Sequence, residues 1–174
     1  VMCRMTKARP VRVSGIGARL TDSIVPNQVN YGHLQITFDD GSIGWYEAGW
    51  GPMMSETAFF VKDVIGPRGS ISIKATTAGG SGNSADVDSH SRTESLLLHH
   101  SALSADGNFA RKDETIDLTD EPDHDELCRR EQQFFLSAIR EDRDLTAHWQ
   151  SAIDSLRIVL AAEQSRREGK TMEL

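Results

Sequence analysis

The chain has 174 residues, 38% hydrophobic and 26% charged, with a net charge of −7, a length that suffices for one domain with an ordinary core. The negative balance argues against nucleic acid, whose phosphates require Lys and Arg stripes, and no apolar run approaches the roughly 20 residues of a membrane-crossing helix. Two widely separated cysteines, Cys3 and Cys128, without a CxxC pair, point to reduced thiols and a cytoplasmic setting rather than a disulfide or zinc ribbon.

The opening stretch VMCRMTKARP places Val1, Met2 and Met5 on one side of a helical projection, and Pro10 forbids continuation. It reads as the end of an amphipathic helix, so the chain is expected to be a piece of something longer. In VRVSGIGARL, Val11 and Val13 alternate with Arg12 and Ser14, as a strand requires. In HLQITFDDGSIGWYEAGW, Leu34, Ile36 and Phe38 alternate with His33, Gln35 and Thr37, and Asp40-Gly41 supplies a tight turn. A two-residue loop pairs Phe38 with Ile43 and Ile36 with Trp45. One face then carries Leu34, Ile36, Phe38, Ile43 and Trp45, the expected core. The other carries His33, Gln35, Thr37, Gly44, Tyr46, Ala48 and Trp50, mixing aromatic area with hydrogen-bonding tips. The loop GWGPMM, with Met53 and Met54, extends that second face.

Further on, AFFVKDVIGPRGSISI (58–73) reads as two strands around GPRG. Residues 75–93 read as a long loop, SLLLHH (95–100) as a strand and 104–114 as turn and coil. Asp123 and Glu126 resemble a capping box, opening a helix that presents Leu127, Phe134, Phe135, Ala138 and Ile139. The last helix is capped by Thr146. Trp149, Ile153, Leu156 and Leu160 recur at spacings of three and four, with Ala152 and Val159 widening the stripe, and Gly169 stops it. KTMEL closes as a short strand or tail. Strands first and two helices last predict an α+β fold: a mostly antiparallel, open-faced β-sheet with both C-terminal helices on one face. Leu34, Ile36, Phe38, Ile43 and Trp45 are expected beneath the helices that carry Phe135, Ile153, Leu156 and Leu160. Leu156→Ala is then expected to cost about 2–5 kcal/mol.

Neither GIG (15–17) nor GPRG (66–69) stands at a strand-to-helix junction, where a phosphate loop belongs, so both are read as turn chemistry and Arg68 as a solvated charge. His99 and His100 are adjacent on a strand and point to opposite faces; with His90 they predict no metal site, though one of the pair is a candidate to face a substrate. The acidic run DEPDHDE lacks a calcium loop and suits a helix N-terminus. On the second hairpin face, His33, Gln35, Tyr46 and Trp50 are candidates for an oligomer interface or for holding a polyhydroxylated substrate.

Taken together, PVRVSGIGARL, GHLQITFDDGSIGWYEAGWG, VIGPRGSISI and the closing segment from EQQFFLSAIR to GKTMEL resemble the C-terminal domain of the Gfo/Idh/MocA oxidoreductases. The resemblance implies one C-terminal domain over residues 1–174, whose open sheet face mates with another subunit as a homo-oligomer. It also implies an upstream Rossmann domain binding NAD or NADP, and an upstream Asp-x-Gly-x-His-like motif. No catalytic or cofactor-binding residue is therefore expected in this chain, and on its own it is expected to be inactive. The implied role is substrate binding and oligomerisation in an enzyme transferring hydride to or from a sugar, polyol or related carbonyl compound. A stand-alone interaction module, or an NAD-dependent glycosidase of the same family, remain the alternatives.

Overall fold

A computed structural model describes residues 2–22, 24–51, 62–74 and 93–174. The chain divides into two compact units, residues 1–54 with 140–174, and residues 55–139. The fold class is α+β and the sheets are antiparallel, as expected, but the strands form two four-stranded sheets rather than one.

In the first unit a short helix α1 (Met2–Thr6) leads into β1 (Pro10–Ala18), β2 (Tyr31–Phe38) and β3 (Ile43–Gly49). The two-residue strand β8 (Met172–Glu173) returns at the end of the chain, giving the order β3-β2-β1-β8. The long helix α3 (Thr146–Glu168) packs on β1 and β8. Val13, Ile36, Phe38, Ile158 and Ala162 form the buried core, with Met2, Cys3, Ala8, Leu34, Ala161 and Leu174 packed around it. The strand alternation read from the sequence thus holds for β1 and β2.

The GIG stretch is not a turn. It lies inside β1, where a Cβ on Gly15 would collide with the backbone of Ala162. The absent side chain lets helix and strand backbones touch.

The hairpin register differs from the expected one by a single residue. Thr37 pairs with Ile43, Ile36 with Gly44 and Gln35 with Trp45. The loop holds three residues, closed by Phe38 N–H to the Ser42 carbonyl and Gly41 N–H to the Phe38 carbonyl, both 3.0 Å. Gly41 supplies the left-handed residue at φ 83°, the usual third position of such a loop. Asp39 is withdrawn from the ladder because it is anchored elsewhere. Its carboxylate accepts the Arg9 N–H and guanidinium at 3.0 Å each, and its own N–H donates to the Arg9 carbonyl at 2.9 Å. A slip of one flips every side chain of the strand. Ile43 and Trp45 therefore stand on the open face, 64% and 65% exposed, rather than in the core.

Helix α3 also presents a face other than the expected one. Ile158, Ala162 and Ser165 are buried against the sheet, whereas Trp149, Ile153, Leu156 and Leu160 are 51–64% exposed. The helix is apolar on two sides, and the side with small residues wins because only it allows the close approach at Gly15. At the N-terminus the cap position is Leu145, without a side-chain cap hydrogen bond, so Thr146 is the first helical residue and not the cap; its N–H and hydroxyl donate to the Asp144 carboxylate at 2.8 Å and 2.5 Å. At the other end Gly169 adopts the left-handed conformation, and its N–H reaches the Ser165 carbonyl at 2.8 Å, the expected stop.

The second unit contains β4 (Asp63–Gly66), β5 (Gly69–Ile73), β6 (Ser95–His100) and β7 (Glu114–Asp117), paired in that order. The turn Pro67-Arg68 joins β4 to β5 as expected. Helix α2 (His124–Arg140) starts where Asp123 accepts the Glu126 N–H at 2.8 Å. Ala138 is its buried residue, while Phe135, expected in the core, is half exposed. Residues 58–61, Met53, Met54, His90 and the loop 75–92 lie outside the described residues. Among the described residues, no helix is long and apolar enough to cross a membrane, and Cys3 and Cys128 are free thiols.

Candidate functional site

With α3 on one side, the other side of the first sheet is left open, and strand alternation decides what stands there. Arg12 is paired with Thr37, Ser14 with Gln35 and Ile16 with His33 across β1 and β2. Thr37, Gln35 and His33 are paired in turn with Ile43, Trp45 and Glu47 on β3. Partners in a ladder share a face, so these nine side chains form one surface. Its apolar members Ile16, Ile43 and Trp45 are all exposed.

Local contacts order this surface. The His33 and Trp45 rings meet edge to face, with centroids 5.2 Å apart and planes at 82°, a favoured aromatic geometry. Tyr31 donates its hydroxyl to Glu47 Oε1 at 2.6 Å, and that hydrogen bond to a carboxylate raises the Tyr31 pKa. Beside the aromatic pair, Arg12, Ser14, Gln35, Thr37 and Thr171 line a shallow polar hollow. Arg12 makes a long ion pair with Glu173, 3.9 Å apart.

Of the residues singled out from sequence, His33 and Gln35 stand on this open face. Tyr46 does not: it pairs with Leu34 and shares the face of Ile36 and Phe38, though it remains exposed. The one-residue slip is the cause. Trp50 follows β3, half exposed, and its backbone is tied to Asn30. Its N–H donates to the Asn30 carbonyl at 3.0 Å, and its carbonyl accepts Asn30 Nδ2 at 2.8 Å. Asn30 is fully buried and also accepts the Leu20 N–H at 2.7 Å. It joins the ends of β1, β2 and β3, a role without any periodic signal in the sequence. Thr37 stands on this face as expected, whereas Arg12, Ile43 and Trp45 were missed as members of it. Arg12 was legible from strand alternation; Ile43 and Trp45 required the true register.

His99 and His100 belong to the second unit, and each holds a carboxylate. His99 Nδ1 lies 2.8 Å from Asp113 Oδ1, and its ring meets Phe109 edge to face at 4.6 Å. His100 Nε2 lies 2.8 Å from Glu114 Oε1, which also binds Arg111. Hydrogen bonding from His100 and the Arg111 charge lower the Glu114 pKa. The β6–β7 ladder ends with Leu98 opposite Glu114, immediately before the two histidines.

The glycines do not build a dinucleotide site. Gly15 and Gly17 are packed against α3 and its Arg166, and Gly66 and Gly69 flank a β-turn. None of the four opens a helix, so none stands where a pyrophosphate-binding loop places its glycines.

The fold defines an α+β domain whose antiparallel sheet is closed by a helix on one face and open on the other. The chain belongs to the Gfo/Idh/MocA oxidoreductase family as its C-terminal alpha/beta domain, which matches residues 8–174. No curated protein sequence matches significantly. Among solved structures the chain is similar to an aldose-aldose oxidoreductase from Caulobacter crescentus complexed with glycerol, with TM-score 0.68 and 15% identity over 99% of this chain. It is also similar to an oxidoreductase from Agrobacterium radiobacter in complex with NAD+, L-tartaric acid and magnesium, with TM-score 0.64 and 11% identity over 99% of this chain. The chain spans 44% and 45% of those two proteins. At such identities the likeness establishes the fold.

Proposed function

We propose that this chain is the substrate-binding and oligomerisation domain of an NAD(P)-dependent oxidoreductase that acts on a sugar, polyol or related carbonyl compound. Family membership supports the oxidoreductase part. The two structural neighbours, an aldose-aldose oxidoreductase and an enzyme holding NAD+ and a hydroxy acid, support small polyhydroxylated substrates. The observation that carries the domain's role is the open face. A sheet closed on one side by α3 leaves Trp45, Ile43 and Ile16 uncovered beside His33 and Gln35. Aromatic and apolar side chains ringed by polar ones are the composition of a contact surface, and the occupant favoured is a second subunit.

The nicotinamide cofactor, NAD or NADP, supplies the hydride chemistry, and its binding falls to residues outside this chain; Gly15, Gly17, Gly66 and Gly69 serve packing and a turn. The chain's own contribution is positioning: walling the substrate cleft and holding subunits together. Free Cys3 and Cys128 suit a reducing cytoplasm.

The complete gene product, assayed with aldoses and polyols plus NAD+ or NADP+, is expected to produce NADH or NADPH absorbance. The 174-residue chain, titrated with NADH by calorimetry, is expected to show no micromolar binding. Micromolar affinity for the short chain would overturn the division of labour, and turnover of glycosides without net reduction would move the protein to the glycosidase chemistry.

A further inference from the structure

We propose that the open sheet face is complementary to itself about one diagonal, so that a second copy of this chain docks with Arg12 of each copy against Glu47 of the other and with the two sheets crossing near right angles. The inference rests on the reading that this face meets a second subunit, and it adds how the two copies are turned. The three rungs across β1, β2 and β3 form a three-by-three grid of side chains with Gln35 at its centre. Strand spacings make the grid roughly 13 Å long and 10 Å wide. Arg12 and Glu47 stand at opposite ends of one diagonal, and the exposed Ile16 and Ile43 stand at the ends of the other. Both charges are available to a partner. The ion pair of Arg12 with Glu173 is long at 3.9 Å, and Arg12 is 54% exposed. Tyr31 holds Glu47 Oε1 at 2.6 Å, but no ion pair among the described residues involves Glu47.

Two identical faces that close on each other are related by a two-fold axis lying in the plane between them. The direction of that axis decides which grid positions meet. An axis along the strands sets Arg12 on Ile43 and Glu47 on Ile16. An axis across the strands sets Arg12 on Ile16 and Glu47 on Ile43. Both bury each charge against a hydrocarbon side chain. An axis along the diagonal from Arg12 to Glu47 stacks each charge on its own copy, and like charges oppose association. Of the four, only the diagonal from Ile16 to Ile43 matches the chemistry throughout. It sets Arg12 on Glu47 of the partner subunit twice over, brings each isoleucine to its own copy, pairs Gln35 amide to amide and lays Trp45 on Thr37. An axis at about 45° to the strands turns the partner's strands by about 90°, which is the orthogonal class of sheet packing. The grid is the centre of the contact, since a standard interface takes about 20–30 residues a side.

Charge reversal in the complete protein tests the pairing, read as the dimer dissociation constant by sedimentation equilibrium. Arg12→Glu alone and Glu47→Arg alone each turn two attractive contacts per dimer into two repulsive ones. Each is expected to weaken association about tenfold or more. Both changes in one chain rebuild the two contacts with their polarity exchanged, and are expected to return the constant to within about threefold of the parent. Such a rescue reports on the partner and not on the fold. Within one copy the two residues stand roughly 16 Å apart, beyond the roughly 8–10 Å over which exposed charges act at physiological salt. Single variants that dissociate without rescue would overturn the pairing. Single variants that assemble like the parent, where Ile43→Ser with Trp45→Ser breaks the assembly, would overturn the diagonal arrangement and leave the second subunit on this face. If neither set alters assembly, the interface reading falls together with the arrangement.

Discussion

Ser165 in α3 accepts a hydrogen bond from the buried backbone N–H of Gly15 at 2.9 Å. Strand β8 pairs with β1 only at Arg12 and Val13, so among the described residues no strand lies beside that edge of β1 from Gly15 onward. The helix side chain takes over where the ladder ends, satisfying a donor that burial would otherwise strand. The contact requires the helix to lie on the strand, which requires glycine at 15. Ser165→Ala is expected to destabilise the chain by about 1–3 kcal/mol by leaving that N–H unpaired. Gly15→Ala, which drives a methyl into the Ala162 backbone, is expected to cost about 1–3 kcal/mol or more through overpacking. Urea denaturation midpoints of the two variants check both; a Gly15→Ala protein as stable as the parent would show that the helix does not press on β1.

The two sides of α3 give a sharper contrast. Ile158 is 5% exposed and belongs to the core, while Leu156, two residues earlier, is 59% exposed. Ile158→Ala is expected to cost about 2–5 kcal/mol, and Leu156→Ala to stay within about 0.5 kcal/mol in this chain. Sequence periodicity alone predicts the reverse. Parallel denaturation of the two variants decides which side of the helix the sheet holds.

That reversal shows what was legible and what was not. The alternation in β1 and β2 was readable because strand period is a local property, and Val13, Ile36 and Phe38 are buried where it placed them. The helix N-terminus at Asp123 and the stop at Gly169 were readable for the same reason. The register of β3 was not, because Arg9, 30 residues away, captures Asp39 and lengthens the turn. The orientation of α3 was not, because its two apolar sides compete and the smaller one wins by backbone proximity. Within the candidate site, His33 and Gln35 followed from alternation. Trp45 was lost to the register error, and Tyr46 was gained by it.

Acid should weaken the C-terminal turn of α3. Hydrogen bonds from Arg166, with Arg167 adding to them, hold the Glu163 pKa at about 2, against an ordinary 4.5. A depressed carboxylate contributes stability that is fully present above its unfolded value and is lost as pH falls through the folded one. The contribution is therefore intact at neutral pH and fades between about 4.5 and 2. Because the pair is partly exposed, about 0.2–1 kcal/mol is expected after solvent screening. Glu163→Gln should lower the melting temperature at pH 7 and converge on the parent at low pH. Melting curves of the two proteins across this range, recorded at constant ionic strength, check the convergence; parallel curves with a constant gap would assign the effect to packing instead.

The open face makes the last expectation. Trp45 and Ile43 contribute exposed apolar area to the surface away from the core, and soluble monomers rarely leave large contiguous patches of this kind uncovered. Their removal should barely affect folding, because neither side chain lies in the buried cluster of Val13, Ile36, Phe38, Ile158 and Ala162. Replacing both with serine is expected to change stability by about 0.5 kcal/mol or less. In the complete protein, the same double variant is expected to shift assembly toward smaller species, since aromatic side chains at the centre of an interface carry much of its binding energy. Sedimentation velocity on the parent and the variant measures the change directly. An unaltered oligomeric state with unaltered stability would overturn the proposal that this face meets a second subunit.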